Sequence, residues 1–334
     1  VAHILAVANQ KGGVAKTTSV ASLGAALTEL GRRVLLVDLD PQACLTFSLG
    51  LEPDTLELSV HDVLLGRLSA GIVITTTVDG TDLLPATIEL AGCEAVLLSR
   101  TGREHALRLA LADVVDGYDF VLIDCPPSLG VLTINGLTAA DEVVVPLQCE
   151  TLSHRGVGQL LDTVHDVQRL TNPRLAVRGV LPTLFDARTA HGRAVLADVR
   201  ARYDLAVLSP PIARSVRFAE APGTGRSILA TAGRSKGADA YRVHARVIAG
   251  LPAGAEPSVP SASAPATASS AATSSAATSS AATSSAAAAS SGKGRGAPLP
   301  GQVTANGRPS EPAVDLAPPG AVARIASARR GGGR

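Results

Sequence analysis

Residues 11–18, Lys-Gly-Gly-Val-Ala-Lys-Thr-Thr, bring glycines, two lysines and two hydroxyls into one short segment, the residue types that hold phosphate. Glycines let backbone N–H groups turn inward onto an anion, and a helix starting at the same point adds the partial positive charge of its N-terminus. In such a loop Lys16 stands against the β- and γ-phosphates of a nucleotide and the Thr17 hydroxyl ligates Mg2+. One lysine suffices for that chemistry, so Lys11 needs a reason of its own. Three acids complete the set. Asp38 and Asp40 lie two apart and therefore share a face while the chain is extended, and Asp124 ends an apolar run that Pro126 and Pro127 turn away. An acid at a strand end either caps its loop or reaches a phosphate-bound metal, and residue type alone leaves both roles open.

These groups need rigid elements to aim them. Residues 3–8 read as a buried strand, 9–16 as a glycine-rich loop and 17–30 as a helix ended by Gly31, with a second strand at 34–38. Further strand-like runs fall at 72–77, 120–124, 142–147, 175–181 and 206–208, most of them separated by segments of helical periodicity. Such alternation predicts an α/β fold, a mostly parallel sheet flanked by helices on both faces.

The apolar pattern stops near Leu251, which predicts a globular domain over residues 1–251 and a low-complexity, disordered tail over 252–334. The tail repeats Ser-Ser-Ala-Ala-Thr from Ser269, Ser274 and Ser279, with no large apolar side chain to build a core. From residue 292 onward seven basic residues face Glu311 and Asp315, a net charge of +5 that suits a solubilising segment or an auxiliary contact with nucleic acid. The four cysteines Cys44, Cys93, Cys125 and Cys149 show no paired spacing, so buried thiols are expected rather than a zinc site or a disulfide framework. No apolar stretch is long enough to span a bilayer and no leader-like segment opens the chain, which points to the cytosol.

The loop KGGVAKTT resembles the deviant Walker A motif of the ParA/MinD ATPases, and the likeness continues through VPLQCE (Val145 to Glu150), LFDART (Leu184 to Thr189), VRFAEAP (Val216 to Pro222) and GRSKGADAY (Gly233 to Tyr241). The resemblance implies a P-loop NTPase fold, ATP and Mg2+ as ligands, and an ATP-sandwich homodimer in which Lys11 crosses to the partner subunit's nucleotide. It implies nucleotide contacts from Lys11, Gly12, Gly13, Val14, Ala15, Lys16, Thr17 and Thr18, and from Ala213 and Ser215 beside the adenine. Lys11, Lys16 and Asp40 become the catalytic set, Asp40 positioning the attacking water, with Thr17, Asp40 and Asp124 around the metal. Asp124 lies in a segment similar to Walker B. Two departures stand out: Ala15 replaces the usual glycine, and Ala213-Arg214-Ser215 replaces Pro-Arg-Asn.

Within that family, the ParA branch implies non-specific binding of double-stranded DNA through Arg188 and Arg217, with Arg214, Arg234 and Lys236 as neighbours, and hydrolysis stimulated by a ParB-like centromere-binding protein. The expected role is chromosome or plasmid partition on the nucleoid. A nucleotide-switched scaffold positioning a protein cargo is the alternative, and a ligase-like synthetase a more remote one. The tail lacks the amphipathic basic helix of MinD-like proteins, so membrane attachment is not expected. With the loop starting at Lys11, no N-terminal helix-turn-helix region is expected either.

Overall fold

The computed structural model describes residues 1–150 and 153–253, side chains at 153–155 excepted; most of the low-complexity tail lies outside the described residues. Among the described residues, seven strands form one sheet in the order β3-β4-β2-β5-β1-β6-β7. They are β1 (His3–Val7), β2 (Val34–Asp38), β3 (Thr75–Thr76), β4 (Asp82–Leu84), β5 (Phe120–Asp124), β6 (Glu142–Gln148) and β7 (Ala176–Thr183). Every pairing is parallel except β3 with β4. The helices are α1 (Lys16–Glu29), α2 (Cys44–Ser48), α3 (Val60–Leu64), α4 (Ala70–Val73), α5 (Leu90–Leu98), α6 (Ala106–Leu111), α7 (Val131–Ala139), α8 (Ser153–Leu170), α9 (Ala190–Tyr203), α10 (Arg217–Glu220), α11 (Ile228–Thr231) and α12 (Lys236–Ile248).

The period of two along a strand sorts the core into two layers. Val34 and Leu36 of β2 and Phe120 and Leu122 of β5 face α1, α11 and α12, while Leu35, Val37, Val121 and Ile123 face the opposite layer with α5 to α9. Because β2 and β5 are covered on both faces, all five residues of each are buried, and each reads as an unbroken apolar run ending in an acid. The same alternation carries Asp38 and Asp124 to the α1 side, where they are register partners at the carboxyl ends of adjacent strands. That is the edge of a parallel sheet at which ligands bind.

The sequence-predicted α/β sheet is present, with local corrections. Residues 72–77 do not make one strand: α4 runs to Val73 and only Thr75–Thr76 pair, because the Gly-Ile-Val segment is short and fits a helical turn that buries Val73 and exposes Ile72. Residues 206–208 give only an isolated bridge from Val207 to Val180. Cys93 and Cys125 are buried as expected, whereas Cys44 is exposed at the start of α2 and Cys149 half-buried. Among the described residues, no helix is long and apolar enough to cross a membrane.

Candidate nucleotide site and basic surface

The loop between β1 and α1 is held from behind. The Asn9 carboxamide donates to Pro146 O at 2.7 Å and accepts from Lys11 N at 3.0 Å, while Thr183 Oγ1 donates to Val14 O at 2.9 Å. Gly13 has φ +72°, and nothing lies within 4 Å of where a Cβ on Gly12 or Gly13 would stand, so the loop wall is bare backbone. Helix α1 starts without a capping side chain, which leaves its first N–H groups for an anion.

Ala15, the N-cap residue, sits at φ 66°, ψ 36°, the left-handed region that a Cβ disfavours. Ala15→Gly is therefore expected to stabilise the protein by about 1 kcal/mol, raising Tm by about 2–4 °C for a domain of this size. An unchanged or lower Tm in a thermal melt would show that the loop does not store that strain.

The two lysines of the loop occupy different places. Lys16 is 8 % exposed, and its Nζ donates to Lys11 O at 3.4 Å. Burial lowers the pKa of this amine, against the pull of Asp124 first and Asp40 second. Lys11 lies at the half-exposed rim, its Nζ 2.6 Å from Glu150 Oε2 and 3.5 Å from Gln148 Oε1.

The three acids divide their work. Asp38 is wholly buried: Oδ2 accepts from Thr46 N at 2.9 Å and Thr46 Oγ1 at 2.8 Å, and Oδ1 accepts from Asp40 N at 3.1 Å. Its structural role is to fold the chain after β2 back onto α2. Burial outweighs these hydrogen bonds and pushes its carboxyl up to about 6. Asp124 accepts from Thr17 Oγ1 at 2.7 Å through Oδ2, while its buried Oδ1 has no hydrogen-bond partner. Burial and then the neighbouring Asp38 raise its pKa well above the usual carboxylate range. Asp40 is half-buried, with Oδ1 accepting from Gln42 N at 3.0 Å.

The orphaned Asp124 oxygen beside the Thr17 hydroxyl fits a hydrated Mg2+, a hard cation that takes oxygen donors and keeps several waters. Thr17 and Asp124 would hold it, with Asp40 at the outer edge. Next to the loop, a cleft of about 590 Å³ is lined by Gln148, Glu150, Phe185, Pro211, Ala213 and Arg214. Ser215 does not line it; its hydroxyl accepts from Arg217 N at 3.3 Å instead.

Arg188, Arg214, Arg217, Arg234 and Lys236 are all exposed, and they fall into two neighbourhoods. The bridge between Phe185 and Ala213 sets the Arg188 turn beside Arg214, and both guanidinium groups act on Asp186. Arg188 forks onto Asp186 at 3.0 and 2.9 Å, which holds that carboxyl at about 2. Arg217 starts α10 and pairs with Glu220 at 3.1 Å, while Arg234 and Lys236 flank the start of α12. Exposed pairs of this kind are weak and leave the arginines able to exchange partners.

Sequence reasoning missed the positioning shell of Asn9, Thr46, Gln148 and Thr183. Asn9 opens the predicted glycine-rich loop and Gln148 lies in VPLQCE, but Thr46 and Thr183 carried no local signal, since their partners are distant in sequence or identified only by the turn that Asp38 makes.

Known proteins resemble this chain over most of its length. The AAA_31 family model, an AAA domain, matches residues 2–177. The chain is 47% identical over 247 residues to the sporulation initiation inhibitor protein Soj of Bacillus subtilis, covering 74% of this chain and 98% of Soj. It is 42% identical over 249 residues to the chromosome partitioning protein ParA of Caulobacter vibrioides, covering 74% and 93%. A solved structure named cobyrinic acid a,c-diamide synthase from Mycobacterium smegmatis, with an ATP analogue and magnesium bound, is 60% identical and superposes with a TM-score of 0.68 over 75% of this chain and 95% of its own. A P-loop held on β1 and α1, acids at the ends of β2 and β5, and kinship along almost the full length of Soj and ParA lead to one conclusion: this chain belongs to the ParA/Soj family of P-loop ATPases.

Proposed function

We propose that the protein is an ATP-driven DNA-partition switch. Two subunits close around ATP, the closed dimer holds double-stranded DNA without regard to sequence, and a ParB-like partner speeds the hydrolysis that releases it. The observation that carries the reading is the separation of the two lysines. Lys16 lies buried among the acids, where it neutralises the terminal phosphates. Lys11 stands outward at the rim, where it can leave Glu150 for a partner subunit's nucleotide. Thr17 and Asp124 would hold Mg2+, which would supply charge neutralisation to the phosphates. Asp38 fixes the loop that carries Asp40, Asp40 orients the attacking water, and the cleft beside Phe185 and Ala213 accepts the base. Arg188, Arg214, Arg217, Arg234 and Lys236 supply the phosphate-facing surface, and nucleoid DNA in the cytoplasm is the track.

Co-sedimentation with DNA in the presence of ATP, ADP or no nucleotide tests this. Binding is expected with ATP alone and independently of sequence. If a closed dimer neutralises about six or more phosphates, affinity falls about 10³-fold or more between 50 and 200 mM salt. Equal binding with ADP, or binding indifferent to salt, would overturn the switch. A synthetase is the second reading, favoured by the name of the 60%-identical Mycobacterium smegmatis structure. It requires ATP turnover driven by a carboxylic acid and a nitrogen donor, whereas the partition reading requires turnover driven by DNA together with a protein partner.

A further inference from the structure

The basic surface is mechanically connected to the phosphate loop. Ser19 lies in the first turns of α1, two residues beyond Thr17, and its Oγ is 2.9 Å from the Tyr241 hydroxyl of α12, both side chains being wholly buried. The Tyr241 ring meets Phe218 edge-on, with centroids 6.0 Å apart and an interplanar angle of 86°. Phe218 is the α10 residue next to Arg217, and it fills a slot left open by Gly237: a Cβ there would come within 2.6 Å of Phe218 Cζ. Lys236 directly precedes Gly237 in the chain, and Arg234 directly precedes the Ser235 cap of α12. At its other end α1 is tied to α12 again, Glu29 receiving Arg242 at 2.6 and 2.9 Å. The contacts thus run without a break from α1 to α12 and, through Phe218, to α10.

The start of α1 has reason to move. Thr17 is tethered to Asp124 by its hydroxyl, and the N–H groups of the first turn have no side-chain cap. Phosphate against those N–H groups, and a cation at the Thr17 oxygen, would replace both conditions and so bias the position of this turn. Ser19 shares that turn.

We propose that Tyr241 is a positioning residue whose bond to Ser19 couples nucleotide occupancy to the arrangement of Arg217, Arg234 and Lys236. The coupling rests on the partition reading for its meaning as control of DNA affinity. A rival route exists: Asp38 grips Thr46 in α2, and beyond α2 Gly50 abuts Gly225, where a Cβ on Gly225 would lie 2.7 Å from Gly50 Cα. Coupling carried along that route is indifferent to Tyr241.

The test uses the full chain as Tyr241→Phe, Ser19→Ala and the double variant. ATP affinity and Tm are expected to stay near wild type. The ratio of DNA affinities with ATP and with ADP is expected to fall about tenfold in each single variant and no further in the double, as for two ends of one bond. Independently of DNA, ATP is expected to slow backbone hydrogen exchange in residues 216–222 and 233–238 of the wild type but not of the variants. A variant that keeps both the ratio and the exchange response overturns the proposal in favour of the Gly50 route, and a parallel loss of ATP affinity reduces Tyr241 to a packing residue and overturns it too. An exchange response in a wild type that does not bind DNA, lost in Tyr241→Phe, upholds the coupling while removing the partition reading. No exchange response in the wild type overturns the coupling itself.

Discussion

Lys16→Ala is expected to abolish nucleotide binding, with ATP affinity at least about 100-fold weaker, a loss of about 2.7 kcal/mol or more. The size follows from what surrounds the amine. Lys16 is buried inside the loop, its Nζ reaching Lys11 O, with Asp124 and Asp40 as the acids that act on its amine. Truncation would leave a bound triphosphate near Asp40 and Asp124 without a compensating charge from its own loop. Lys11 does not substitute, because its amine lies at the half-exposed rim of the loop rather than inside it. The fold should survive, since both buried acids already have raised pKa values and can take up protons when the cation is removed. Titration with a fluorescent ATP analogue checks the affinity and circular dichroism the fold; ATP affinity within tenfold of wild type would sink the assignment of this loop.

How much of this was legible in the sequence depends on the range over which each feature is determined. β2 and β5 coincide with the predicted runs because a strand buried on both faces needs apolar residues at every position, and the acid that breaks the run marks its end. β4 escaped notice: Asp82–Leu84 is three residues long, and what makes it a strand is its register with Leu35–Val37 of β2, which no local pattern announces. The phosphate loop was readable because its chemistry is written in consecutive residues. The role of Asp38 was not, since its oxygens are claimed by Thr46 and by the Asp40 amide only after the chain has turned, and the Thr46 hydroxyl is in turn fixed by Ala86 N, forty residues away in sequence. The pairing of Lys11 with Glu150 spans 139 residues and depends on β1 and β6 being neighbours in the sheet. Residue types thus disclosed which groups could act, and sheet order decided which of them act on one another.

Asp40→Ala is expected to separate binding from turnover: ATP affinity stays near wild type while kcat falls about 10²-fold or more, the usual range for loss of a group that handles the attacking water. The structure explains why truncation should not disturb the site. The loop after β2 is fixed through the Asp40 backbone amide, which donates to Asp38, and through Asp38's grip on Thr46, neither of which needs the Asp40 side chain. What is lost is a half-exposed carboxylate with one oxygen held by Gln42 N, close enough to Lys16 to act on its amine. Asp38→Ala makes the contrasting case, because it removes the acceptor for all three of those bonds and should lower Tm as well as turnover. Under the partition reading the Asp40 variant also remains on DNA after wild type has dissociated, since release waits for hydrolysis. Phosphate release at saturating ATP and dissociation from immobilised DNA measure the two effects. Unimpaired turnover would remove Asp40 from the water-positioning role, and a loss of ATP affinity equal to the loss in kcat would make it a binding residue instead.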